Sequence, residues 1–158
     1  MKTQLKCLLP AVAIFAAAFS YGENPNNDPS LAAEALLDPD DHVLVLIDHE
    51  GQMAFAVQSH NIELLRNNTG LVTASAHLFE VPTIITTVAE RQFSGPVFPE
   101  IREYFPDHKD YIDRTTMNSW EDKRFVKAVE DTGKKRIVMA GLWTEVCITT
   151  AALSALED

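Results

Sequence analysis

The sequence predicts an α/β fold of three layers (α/β/α), in which a Rossmann-like parallel sheet lies between helices. Three apolar runs of strand length, residues 43–47, 83–88 and 137–140, are separated by segments with helical periodicity. The first and third runs are continuously apolar rather than alternating, which is typical of parallel strands buried on both faces. Strands that alternate with helices predict a parallel sheet with helices on both of its faces.

The N-terminal residues have the layout of a signal peptide. Lys2 and Lys6 precede an apolar run over residues 7–19, and Ser20 and Gly22 supply small residues before a cleavage point. The apolar run is too short to span a bilayer comfortably, which favours removal over the rival interpretation of an uncleaved anchor. We therefore expect a signal peptide at residues 1–22 and a secreted or periplasmic protein that does not associate with the membrane after cleavage.

The rest of the chain has room for one folded domain. Residues 23–40 are rich in Asn, Pro and Asp and predict an extended lead-in, and residues 41–158 predict the domain itself. The formal net charge of -10 and the pI near 4.8 set up a field that repels phosphate backbones, which excludes nucleic acid as a partner. A solvated acidic surface explains the same charge without any function.

Between the strands the sequence predicts helices of different lengths. Leu64, Leu71 and Leu78 recur at intervals of seven and predict an apolar stripe on a helix over residues 62–79. Residues 91–111 contain three prolines and predict a long irregular connection with a short helix near 100–104. Ser119 is a candidate cap for a helix that runs to about Thr132. A last helix is predicted to start near residue 145.

Two predicted strands are followed by reactive side chains at the same edge of the sheet. Asp48 follows the first strand, and Cys147 follows the third at the start of the last helix. At that helix terminus, backbone N–H groups and the helix dipole would lower the thiol pKa and hold an oxyanion. Asp48 would accept the thiol proton. The alternative is a buried structural cysteine and an aspartate that caps a turn.

Four segments in order resemble the isochorismatase-like cysteine hydrolases, particularly the YcaC-type branch of that superfamily. Residues 43–52 (VLVLIDHEGQ) resemble its first strand and catalytic aspartate, and residues 140–147 (AGLWTEVC) resemble its nucleophile segment. Residues 82–87 (PTIITT) and 118–120 (NSW) are similar to that branch as well. The resemblance runs from about Asp41 to the end of the chain.

The resemblance implies a catalytic triad of Cys147, Asp48 and a basic residue that acts on small amides, imides or vinyl ethers. Most of the superfamily has a lysine as the third member, and here the matching position is Arg114. Arginine stays protonated, so it can stabilise a thiolate but cannot carry a proton, which leaves that work to Asp48. The resemblance also implies a small-molecule substrate and no cofactor. It implies assembly into homo-oligomers too.

The resemblance further implies a cis peptide bond between Leu142 and Trp143, which would aim the Trp143 N–H at the oxyanion beside the N–H of Cys147. Phe55, Phe93 and Trp143 are candidates for the substrate pocket, although isolated aromatics are as often ordinary packing. Nicotinamidases of the superfamily bind a metal after the second strand. Residues 88–92 (VAERQ) lack such a cluster, so we expect no metal site.

The resemblance is incomplete at the C-terminus. Members of the superfamily continue with further strands, whereas this sequence stops at Asp158 inside the last helix, so we expect a domain without its C-terminal strands. Two functions therefore remain open at this point: a cysteine hydrolase, and a catalytically silent member that acts as an oligomeric interaction module. Nucleotide binding is disfavoured because no Gly-rich loop follows Ile47.

Overall fold

The structure is a computed structural model that describes residues 36–107 and 111–158. The predicted signal peptide and most of the predicted lead-in lie outside the described residues. The segment Leu37–Asp158 forms one compact unit. Among the described helices, none combines the length and the apolar character needed to cross a bilayer.

A four-stranded parallel sheet forms the centre of this unit. Its strands are β1 (His42–Ile47), β2 (Thr83–Val88), β3 (Ile112–Arg114) and β4 (Arg136–Gly141), in the spatial order β3-β2-β1-β4. The sheet confirms the predicted α/β class, and β1, β2 and β4 match the three predicted strands. The sequence analysis did not predict β3, because three residues are too few to show a strand pattern.

In the described part of the chain, five α-helices surround the sheet: α1 (Gly51–Phe55), α2 (Ile62–Leu78), α3 (Pro99–Tyr104), α4 (Lys123–Asp131) and α5 (Thr149–Glu157). Asn61 caps α2 by accepting hydrogen bonds from the backbone N–H groups of residues 63 and 64. The prediction that Ser119 caps α4 is wrong. Ser119 belongs to a short 3₁₀ turn, and Asp122 caps the helix by accepting the Arg124 N–H.

Alternate side chains of β1 enter two separate cores. Val43, Val45 and Ile47 pack on the face covered by α4 and α5, and Leu44 and Leu46 pack on the face covered by α2 and α3. All five side chains are buried. The sheet thus has helices on both faces, as the alternation of strands and helices predicts.

The apolar stripe predicted on α2 does not face the core. Leu71 and Leu78 are 67% and 75% exposed, whereas Thr69 and Thr73 are buried. Threonine can occupy the buried face because its hydroxyl bonds to the helix itself: Thr73 Oγ1 donates to the Thr69 carbonyl at 2.7 Å. The leucine spacing gave the helix correctly, but the orientation inferred from that spacing is wrong.

The end of β4 packs tightly against the end of β1. A side chain at Gly141 would place its Cβ 2.5 Å from the Ile47 carbonyl oxygen and 2.5 Å from Ile148 Cδ1, so only glycine fits there. The next residue, Leu142, donates its N–H to the same Ile47 oxygen at 3.2 Å. This close approach brings the segment after β4 beside the residue that follows β1, which is Asp48.

Candidate active site

Asp48 directly follows β1 and is fully buried at the carboxyl edge of the sheet. Its φ of 57° lies in the left-handed region, which aspartate tolerates better than most residues. Its backbone N–H donates to the Thr86 carbonyl at 3.1 Å, which ties it to the adjacent strand β2. The turn leaves a carboxylate inside the protein, where it requires a partner.

Arg114, the last residue of β3, is that partner. Its Nη2 donates to Asp48 Oδ1 at 2.7 Å and to Oδ2 at 2.8 Å, and both side chains are 0% exposed. Its Nη1 donates to the Thr116 carbonyl. Two strand ends separated by β2 therefore meet through one buried ion pair.

Cys147 completes the group, since the Asp48 carboxylate and the Arg114 guanidinium both lie close enough to its thiol to shift the pKa of that thiol. The cysteine is fully buried and lies in a π-helical turn, Thr144–Ile148, that precedes α5. The prediction of a place in the first turn of an α-helix is therefore wrong in detail. The structure nevertheless brings together the three residues predicted as a triad, which we call the Cys–Asp–Arg cluster.

The protonation of the cluster differs from the sequence prediction. Burial raises the pKa of the Cys147 thiol to about 12. The neighbouring carboxylate of Asp48 also raises this pKa, whereas the charge of Arg114 lowers it. Burial also raises the pKa of Asp48, while the charge and hydrogen bonds of Arg114 oppose that shift. A lowered thiol pKa was expected and is wrong, because the sulfur is dehydrated beside a carboxylate. The resting cluster holds a neutral thiol.

The backbone after β4 also differs from expectation. Within the described residues no peptide bond is cis, so the predicted cis bond between Leu142 and Trp143 is wrong; the chain reverses instead through Trp143, whose φ is 58°. The N–H of Cys147 donates to the Trp143 carbonyl at 2.9 Å and is not free for an oxyanion. In the described part of the chain, the Trp143 N–H donates to no backbone carbonyl.

The predicted pocket aromatics do not meet in one site. Phe55 is 85% exposed and lines a cleft of about 440 Å³ with Arg66 and Pro96. Trp143 lines a different cleft, of about 790 Å³, and its Nε1 donates to the Met53 carbonyl at 3.1 Å. Phe93 is half exposed. Of the three aromatics, Trp143 is the one that contacts a cluster residue through the backbone, since its carbonyl accepts the Cys147 N–H.

Two buried polar residues beside Asp48 were missed by the sequence analysis. Glu50 is 0% exposed, and burial raises its pKa to about 8, with smaller contributions that include the charge of Asp48. His49 is 5% exposed, and burial lowers its pKa to about 4, so its ring is neutral. Their position in the sequence could have indicated this burial, because polar residues directly after a strand that is buried on both faces remain close to the core.

The described residues hold no group of three or more His, Cys, Asp or Glu side chains arranged to bind a metal ion. The Asp48 carboxylate accepts hydrogen bonds from Arg114 and lies beside the Cys147 thiol. The chemistry available to the cluster is thus a thiol, a carboxylate that can take its proton, and a permanent positive charge.

The fold and the cluster together define a class: Rossmann-like α/β proteins with a buried cysteine, aspartate and arginine at the carboxyl edge of a parallel sheet. The family model for the isochorismatase domain matches residues 42–158. The chain therefore belongs to the isochorismatase family.

Two relatives support this assignment. The chain is 40% identical to the probable hydrolase YcaC of Escherichia coli over 77% of its own length and 59% of the relative's. It is 28% identical to the secreted isochorismatase effector Isc1 of Verticillium dahliae, over 71% of this chain and 63% of that one. The chain thus spans about six tenths of the length of these relatives.

Solved structures give the same result for the fold. The crystal structure of the E. coli YcaC gene product, an octameric hydrolase of unknown specificity, superposes with a TM-score of 0.73 at 40% identity, covering 78% of this chain and 60% of that one. YcaC from Pseudomonas aeruginosa, solved with hexane-2,5-diol and covalent acrylamide, superposes with a TM-score of 0.69 at 38% identity, covering 77% and 60%.

Proposed function

We propose that the protein is a cysteine hydrolase of the isochorismatase family that cleaves a small amide, imide or related bond through a thioester-type intermediate on Cys147. The single observation that carries this proposal is the burial of the Cys147 thiol beside the Asp48 carboxylate, to which Arg114 is hydrogen-bonded. A structural cysteine would need neither a carboxylate partner nor a buried ion pair beside it.

In the first half of the reaction, Asp48 takes the thiol proton as sulfur attacks the substrate carbonyl carbon. The π electrons of the carbonyl move to its oxygen, and the Trp143 N–H is available to stabilise the oxyanion. Collapse of the oxyanion breaks the carbon–nitrogen bond. The departing nitrogen takes the proton from Asp48, which leaves an acyl thioester on Cys147.

In the second half, Asp48 acts as the base for water. Water attacks the thioester carbon and gives a proton to Asp48, and the new oxyanion expels the sulfur, which recovers that proton. The carboxylic acid leaves and the neutral thiol is restored. Arg114 remains charged throughout and balances whichever negative charge is present, on Asp48 or on sulfur.

The raised pKa of both groups suits this cycle. Burial makes the thiol a weak acid, but it also raises the pKa of Asp48, which makes that carboxylate a stronger base than one in water. The proton therefore moves from sulfur to the neighbouring carboxylate as the carbonyl is attacked, and no free thiolate has to accumulate beforehand.

Intact mass spectrometry after incubation with a panel of small amides and imides tests the proposal. We expect at least one compound to add the mass of its acyl group to the protein, with loss of its amine, and peptide mapping to place that mass on Cys147. Cys147→Ser should give no such adduct, and Cys7→Ser should be unchanged. Acylation that persists in Cys147→Ser would contradict the assignment of the nucleophile.

We also propose that the protein forms a homo-oligomer and is exported. The E. coli relative is octameric. In this chain Leu71, Leu78 and Phe79 lie exposed on and just after α2, where a second copy would cover them. Size-exclusion chromatography with light scattering should give a mass above that of one chain, and a monomer at micromolar concentration would contradict oligomerisation.

Mass analysis of the protein recovered from outside the cytoplasm tests the proposed export, because it shows whether residues 1–22 have been removed.

A further inference from the structure

Glu50 connects the end of β1 to the end of β2 beside the Cys–Asp–Arg cluster. The backbone N–H of Val88 donates to Glu50 Oε2 at 3.1 Å, and the Glu50 side chain is completely buried. The backbone N–H of Glu50 donates to the carbonyl of Asp48 at 2.9 Å. Movement of Glu50 would therefore displace the residue that takes the thiol proton.

The groups around Glu50 disfavour a negative charge on it. The charged groups that face it are the carboxylates of Asp48 at the end of β1, Asp113 on β3, and Glu90 in the turn after β2. The guanidinium of Arg114 is bonded to Asp48. Among the described residues, the second carboxyl oxygen of Glu50, Oε1, is buried without a hydrogen-bond partner. Burying a charged carboxylate with one oxygen unpartnered costs far more than burying a neutral carboxyl group, because an ion is the more expensive group to transfer out of water.

We propose that Glu50 is a positioning residue that works as an uncharged carboxylic acid, joining β1 to β2 behind Asp48, so that Arg114 pairs with the carboxylate of Asp48 and not with that of Glu50. The inference rests on the proposed function for its catalytic meaning. The claim that the Glu50 side chain is uncharged depends only on the burial and contacts of Glu50 itself. Glu50 touches Asp48 through the backbone and has no direct part in the reaction.

This arrangement makes the cluster sensitive to alkaline pH. Burial raises the pKa of Glu50 to about 8, so the side chain is uncharged at lower pH and becomes charged above that value. An ionised Glu50 adds a negative charge to a region that already contains ionised Asp48. Formation of a Cys147 thiolate is then harder.

The first test follows alkylation of Cys147 by acrylamide from pH 5 to pH 10, in a Cys7→Ser background, by intact mass. Glu50→Gln, which keeps the shape and cannot ionise, should match the parent rate below about pH 7 and exceed it above about pH 8. Glu103→Gln, at an exposed position on α3, should match the parent at every pH. Profiles for Glu50→Gln and the parent that superimpose, or that differ by one constant factor, would overturn the inference.

One further variant and one further measurement separate this inference from the proposed function. Glu50→Ala loses the acceptor for the Val88 N–H and should be alkylated at a different rate from the parent even at pH 6, with Glu50→Gln restoring the parent rate. Thermal unfolding decides the charge state without reference to Cys147: the gain in Tm of Glu50→Gln over the parent should grow from pH 5 to pH 8 and then level. A pH-independent difference in Tm would show that Glu50 is ionised throughout and would overturn the inference, whatever the amide panel gives.

Discussion

Replacing Asp48 by asparagine is expected to reduce amide hydrolysis about 100- to 10,000-fold, the usual contribution of a general acid–base. Asparagine can still accept a hydrogen bond from Arg114 but cannot take the proton of Cys147. It also leaves the buried guanidinium without a countercharge, so we expect a loss of stability of about 3–5 kcal/mol beside the loss of turnover. Simple alkylation should change in the opposite direction. Apart from burial, the neighbouring carboxylate of Asp48 raises the Cys147 pKa, so its loss gives more thiolate at a given pH.

The measurement pairs turnover of whichever amide acylates the protein with the rate of iodoacetamide labelling of Cys147. Asp40→Asn is the matched control, since Asp40 is exposed before β1, and it should change neither rate. Turnover that is unaffected in Asp48→Asn would show that another group moves the proton. Parallel losses of turnover and labelling would indicate a damaged fold instead of a missing base.

Arg114→Gln is expected to lower the free energy of unfolding by about 3–5 kcal/mol, the usual cost of removing one member of a buried ion pair. Both side chains of the pair are 0% exposed, so water cannot replace the guanidinium. Burial raises the pKa of Asp48, and the charge and hydrogen bonds of Arg114 oppose that rise. Without Arg114, Asp48 would therefore bind a proton. A protonated Asp48 cannot act as a base, so hydrolysis should be lost as well.

Chemical denaturation at pH 7 measures this change, and Arg124→Gln is its control. Arg124 makes an ion pair with Asp122 at 2.6 Å, but its side chain is 66% exposed, so its loss should cost less than about 1 kcal/mol. The sign of the pH dependence is a further check. Asp48 without Arg114 has a higher pKa in the folded state, so the stability of Arg114→Gln should fall as pH rises towards that pKa. Equal losses for the two arginine variants would contradict the importance of burial.

The sequence was sufficient for the fold class because the evidence for β1 and β4 is local. A continuous apolar run such as residues 43–47 has few structural alternatives, and the strand–helix alternation then specifies a parallel sheet. The strand β3 was not predictable, since its three residues gain their extended form by pairing with β2. The orientation of α2 failed for a related reason: threonine hydroxyls that bond within the helix let Thr69 and Thr73 take the buried face.

The identity of the clustered residues was predictable to the same degree. The carboxyl ends of parallel strands share one edge, so Asp48 and Cys147 were expected to meet, and the family resemblance supplied Arg114. Protonation was not predictable, because it depends on burial and distances that no spacing encodes. A helix terminus was expected to lower the thiol pKa. The cysteine lies instead in the turn before α5, beside a carboxylate, and its pKa is raised.

Titration of the Cys147 thiol, followed by thiolate absorbance in the Cys7→Ser protein and in its Asp48→Asn derivative, tests the central claim most directly. A neutral thiol buried beside Asp48 predicts ionisation far above the ordinary range, with a pKa of about 12, and a lower pKa once Asp48 is replaced. A thiol that already ionises below the ordinary cysteine pKa of about 8.5, or one whose pKa is the same in both proteins, would contradict the pairing of sulfur and carboxylate on which the proposed hydrolase depends.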